Sequence, residues 1–64
     1  MSAYWWWIVT FEFYEHPVEV QVTVAAMSES EAALAAENLL YDMGLRGGSY
    51  GYMLEQQDRV EKEA

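Results

Sequence analysis

An α+β fold of order β-β-α-β, with a three-stranded antiparallel sheet and one helix packed on one face, is predicted by three features of this sequence. An aromatic run occupies Tyr4 to Tyr14. Four valines alternate from Val18 to Val24. A Ser28/Glu31 pair opens an alanine-rich stretch that closes at Gly44.

The first strand follows from Tyr4–Tyr14, where seven of eleven residues are aromatic and Ile8, Val9 and Thr10 are β-branched. Both classes favour a pleated, packed surface. Alternate side chains of a strand point to opposite faces. Trp5, Trp7, Val9, Phe11 and Phe13 therefore share one face, which supplies a core. Tyr4, Trp6, Ile8, Thr10, Glu12 and Tyr14 share the other, where a half-buried strand would ordinarily be polar.

The second strand is read from Val18, Val20, Val22 and Val24, which alternate with Glu19, Gln21, Thr23 and Ala25. The short gap through Glu15-His16-Pro17 makes a hairpin, and Glu15-His16 is a poor match to a two-residue turn. A four-residue loop pairing Phe13 with Val18 is expected. Phe11/Val20, Val9/Val22 and Trp7/Val24 then fall on one face. The same register sets Glu12 against Glu19, a mildly destabilising pair of like charges, and puts Trp6 beside Ala25.

Ser28 with Glu31 is a capping box, and Glu29 and Glu31 suit the positive end of the helix dipole. The helix is predicted from about Glu29 to Met43. Gly44 takes the left-handed cap and Leu45 folds back on Leu40. Ala32, Ala33, Ala36, Leu39, Leu40 and Met43 form its apolar stripe at 100° per residue. The small residues near its start allow close approach to a sheet face crowded with Trp and Phe. Leu34 and Tyr41 fall off that stripe, as an exposed pair or as edge packing under the C-terminal segment.

Arg46-Gly47-Gly48-Ser49 is a loop, and a third strand runs from Tyr50 to about Gln56. Tyr50, Tyr52 and Leu54 make its more apolar face, with Gly51 and Met53 on the other. The helix returns the chain across the sheet, so this strand lies beside the first and the order is 2-1-3. Residues 1–56 form the single domain. Residues 57–64 form a polar tail, frayed or in a short helix with Asp58 and Lys62 paired.

Composition narrows the function. Sixty-four residues make one domain whose core alone supplies about 3–5 kcal/mol. With no Cys, neither a disulfide nor a thiolate metal site is available, which fits a cytoplasmic setting. The net charge is −8, and no Lys or Arg precedes Arg46. Phosphate binding needs clustered cations, so direct nucleic-acid binding is not expected. That holds although Tyr4, Trp6, Tyr14, Tyr50 and Tyr52 suggest a base-stacking platform and Arg46–Tyr52 has a superficial RGG look. The aromatic run is too short to cross a bilayer, and Glu12 and Glu15 follow it at once. No membrane association or secretory leader is expected.

His16, the only histidine, reads as a solvated turn residue. The Glu12/Glu19 pair lies on an open sheet face with no cleft for acid–base work. No catalytic residue, metal site or cofactor is therefore expected, and the chain is read as a non-enzyme.

The Tyr4–Tyr14 strand, the Val18–Val24 strand and the Ser28–Gly44 helix, in a small acidic chain without Cys, resemble small accessory proteins of bacteriophages and mobile elements. Anti-CRISPR and other anti-defence inhibitors are among them. The resemblance implies a protein that binds and blocks a host protein. It carries no functional residue, because no motif aligns. From the residues themselves, the partner-binding set is Tyr4, Trp6, Ile8, Glu12, Tyr14, Glu15 and Glu19. Aromatics would supply burial and acids would steer towards a basic surface of the host protein. The rival expectations are a homodimer or higher oligomer built on the same face, and an oligomer that stacks a small ligand such as a nucleotide between subunits.

Overall fold

The computed structural model describes residues 3–15, 18–44 and 50–61. The chain forms β1 (Trp5–Phe13), β2 (Val18–Ala26), α1 (Glu29–Asp42) and β3 (Tyr50–Arg59). The three strands make one antiparallel sheet of order β2-β1-β3. The aromatic strand is central, as two apolar faces require.

The hairpin register is the expected one, from Phe13↔Val18 through Glu12↔Glu19 and Val9↔Val22 to Trp6↔Ala25. A one-residue slip would turn every valine to the wrong face, so the pattern admits a single pairing. His16 and Pro17 of the loop lie outside the described residues. On the other side Val9 pairs with Leu54, Phe11 with Tyr52 and Phe13 with Tyr50. Tyr50, Tyr52 and Leu54 thus share the helix-covered face, and Gly51 and Met53 share the opposite one.

Helix α1 is capped by Ser28, whose Oγ accepts from the Glu31 amide at 3.3 Å. It ends at Gly44, whose φ of 82° lies in the left-handed region that a side chain disfavours. Leu45 lies outside the described residues. The buried stripe, Ala32, Ala36 and Leu40, is narrower than expected. Ala33 is only half-buried, while Leu39 and Met43 are exposed. The cause is position: α1 lies nearest β2, away from the sheet's midline. Glu37 occupies the flank that meets Tyr50 of β3, and Leu39 points to the opposite flank. Leu34 and Tyr41 are both exposed, and Tyr41 comes close enough to Tyr50 of β3 to help raise its phenol.

The core is a layer of Trp7, Val9, Phe11, Val24, Ala26, Ala32, Ala36 and Leu40. Phe11, Leu40 and Val9 are its largest fully buried side chains. Each stabilises the fold by about 1.5–3 kcal/mol through removal from water. Alanines on the helix let its backbone come down onto the Trp and Phe side chains. The Trp7 indole donates to the Ala26 carbonyl at 3.0 Å, so the one polar atom of that buried ring is satisfied. Phe11 stands edge-on to Tyr50, with centroids 5.4 Å apart and planes at 79°.

A 14-residue helix is about 21 Å long, whereas a nine-residue strand spans about 30 Å. The helix therefore cannot roof the whole sheet. Trp5 and Phe13, at the two ends of β1, are only partly buried.

The third strand corrects the expected boundary. β3 continues to Arg59, three residues past Gln56, so the polar stretch begins as a strand and not as a frayed or helical tail. Lys62, expected to pair with Asp58, lies outside the described residues. Trp5 pairs with Arg59 and Trp7 with Gln56, so two steps on β1 face three on β3, a bulge in β3. Without the extra residue Asp58 would stand opposite Trp5. With it, Arg59 does, and its Cζ lies 4.8 Å from the centre of the Trp5 ring. Beyond the bulge, the Val60 amide donates to the Tyr4 carbonyl at 2.9 Å.

Candidate protein-interaction face

With α1 on one side, the other face of the sheet is bare. The registers map it in rows. The first pairs Ala25 with Trp6. Thr23, Ile8 and Glu55 follow, then Gln21, Thr10 and Met53, then Glu19, Glu12 and Gly51. Tyr4 precedes this array and Tyr14 follows it. No Lys or Arg occupies any of these positions.

The seven expected residues are all on this face or in the adjoining turn, but they do not form one patch. Tyr4 and Trp6 cluster at one end, where Trp6 is 41% exposed. Small neighbours leave it so, because Ala25 stands beside it. Ile8 is half-buried. At the other end Glu12 and Glu19 face each other across the strands, both exposed, and Tyr14 is 69% exposed. Glu15 is exposed in the turn. Six residue steps along the strand separate Trp6 from Glu12, about 20 Å. Between the ends, Gln21 donates to the Thr10 hydroxyl at 3.3 Å.

β3 adds residues that the sequence could not assign. Met53, beside Thr10, is 65% exposed, and Glu55, beside Ile8, is exposed. Period-two alternation shows that Met53 and Leu54 face opposite ways. The pairing with β1 then decides which is covered. Gly51 has a specific part. A Cβ there would collide with the Tyr14 hydroxyl and stand 3.3 Å from its Cζ. Tyr14 therefore lies back across Gly51, beside Glu12. Two shallow grooves flank the ring. One, of about 410 Å³, is lined by Glu12, Phe13, Tyr14, Val18 and Glu19. The other, of about 210 Å³, runs along Thr10, Glu12, Gly51 and Met53.

The five-aromatic stacking platform does not form. Tyr4, Trp6 and Tyr14 are on the bare face, but Tyr50 and Tyr52 pair with Phe13 and Phe11 and so turn towards the helix side. Tyr50 is committed there. Its hydroxyl donates to Glu37 Oε2 at 2.8 Å. That bond, followed by burial, raises the phenol well above its usual value near 10.

Among the described residues no cluster of three or more His, Cys, Asp or Glu could hold a metal ion, and no helix is long and apolar enough to cross a membrane. His16 lies outside the described residues. Comparison with protein-family models, with curated protein sequences and with solved structures finds no match.

Proposed function

We propose that this chain is a non-enzymatic protein-binding module that occludes a partner through the bare face of its sheet. The observation that carries this is the composition of that face. It joins exposed aromatics, Tyr4, Trp6 and Tyr14, to Glu12, Glu19 and Glu55 with no base among them. Aromatics and Met are enriched at interface cores and supply most of the binding free energy. Carboxylates at the rim guide encounter with a basic surface. The resemblance to small phage and mobile-element accessory proteins supports a role as an inhibitor of a host protein in the bacterial cytoplasm.

Trp6→Ala tests it. Trp6 is part-exposed and packs beside an alanine, so the variant keeps fold and mass. Capture of the partner that the wild-type chain retains from a bacterial lysate is expected to be lost. Retained capture by a folded Trp6→Ala chain would sink the proposal.

A homodimer is favoured by a separate observation. β3 lies at an open edge of the sheet, and Tyr52 on one face and Met53 on the other are 45% and 65% exposed there. An added strand would cover both at once, which a helix lying on one face could not do. A light-scattering mass of two chains for the free protein supports this; a mass of one chain at high concentration rejects it.

A further inference from the structure

Resting on the homodimer reading above, we propose that two copies of this chain pair through the outer edges of their β3 strands. They run antiparallel about a two-fold axis at Met53 and form one six-stranded sheet. The order β2-β1-β3 leaves a row of backbone N–H and C=O groups on the outer side of β3, with no described strand beyond it. Such a row is complemented along its length by another extended chain and not by a helix.

The sequence of β3 marks the half that pairs. Sheet edges are ordinarily guarded by charges, proline or bulges. In β3 the charges and the bulge all lie from Glu55 onward, and residues 50–54 carry none of these devices. The other edge is a poorer match. Helix α1 lies nearest β2, and the bare side of β2 presents Glu19, Gln21 and Thr23. Over β3 the helix is more distant, so Tyr52 is exposed on the helix side and Met53 on the bare side.

Length and charge then set the register. β3 is regular against β1 from Tyr50, opposite Phe13, to Gln56, opposite Trp7, and the bulge comes next. An antiparallel self-pairing that uses all of this segment has its midpoint at Met53. It sets Met53 against Met53, Tyr52 against Leu54, Gly51 against Glu55 and Tyr50 against Gln56. Each pair shares a face, as direct opposition demands, and no charge meets its like. Moving the axis towards Arg59 brings the bulge, and then two opposed Glu55 carboxylates, into the pairing. Glu55 of the second copy arrives beside Gly51, over which the Tyr14 hydroxyl lies because no side chain fills that place. That hydroxyl donates to the incoming carboxylate. Both helices lie on one side of the six strands, and the two bare faces, each with its Trp6, join on the other.

The chain has no cysteine of its own, so a single introduced one reports its own position. Under mild oxidation of the full chain, Met53→Cys is expected to form a disulfide-linked dimer at least about tenfold faster than Glu55→Cys, Gln21→Cys or Trp6→Cys. Opposed Cβ atoms at the axis are about 5 Å apart, whereas the two Glu55 positions are about 13 Å apart along the strands. Met53→Lys should give a chain of single mass with an unchanged circular dichroism spectrum, because Met53 is exposed and its lysines would meet at the axis. Tyr14→Phe should weaken the dimer several-fold in sedimentation equilibrium. A two-chain mass with fastest linkage at Glu55, Gln21 or Trp6, a dimer that survives Met53→Lys, or an affinity unmoved by Tyr14→Phe would overturn this pairing and leave the homodimer reading standing. A one-chain mass for the unsubstituted protein at high concentration would remove both.

Discussion

Trp7 and Tyr50 show how single polar atoms are accommodated in so small a core. The Trp7 indole N–H meets the Ala26 carbonyl, which belongs to the last residue of β2. Trp7→Phe would fill most of the same space but leave that carbonyl without its indole donor. A loss of about 1–3 kcal/mol is expected, read from urea denaturation. Tyr50 of β3 donates a side-chain hydrogen bond to Glu37 of α1. Its folded-state pKa is raised, so the folded state holds the phenolic proton more tightly than the unfolded chain. The associated stability is complete below pH 10 and is lost as pH climbs from there through the folded-state value. Tyr50→Phe should flatten the fall in stability above pH 10. An unchanged alkaline profile by circular dichroism would contradict the Glu37 bond.

The elements fit one another through matched sizes. Ala32 and Ala36 are fully buried because the helix must pass close over Trp7, Phe11 and Val24. Ala36→Leu would improve the hydrophobicity of the stripe and yet is expected to destabilise by about 1–3 kcal/mol, since a packed core has no room for three more carbons. A thermal midpoint at or above the wild type would show that the helix stands off the sheet. The bulge in β3 works at the same scale. One inserted residue exchanges Asp58 for Arg59 opposite Trp5. Its trace in the sequence is faint: the alternation that is clear from Tyr50 to Leu54 gives way to a polar run whose side chains do not report a face. For that reason the strand's extension to Arg59 is not legible in the residues alone.

At the scale of the whole molecule, the charge of −8 is spread so that no described base lies on the bare face. If those carboxylates guide a basic partner, Glu12→Gln/Glu19→Gln should slow association several-fold at low salt and little at high salt. A rate independent of salt, measured by stopped flow, would argue against steering. The same double variant should be more stable by about 0.2–1 kcal/mol, because it relieves the opposed charges. Greater stability with weaker binding is the signature of residues kept for a partner.

The elongated shape, 43 × 20 × 16 Å, follows from long strands served by one short helix. It leaves one sheet face bare and one edge strand with apolar side chains on both faces. Element order, hairpin register, helix limits and strand order were legible in the sequence, because period-two and 3.6-residue patterns and the two caps are local signals that admit one consistent pairing. Tertiary structure alone decided the rest. The lateral placement of α1 over β2 left Leu39 and Met43 exposed. Pairing of β3 with β1 chose Met53 for the bare face and Leu54 for the covered one. The contact of Tyr14 with Gly51 joins residues 37 positions apart. None of these has a local signature, since each depends on which distant backbone comes alongside, and it is there that the bare face acquires its two ends.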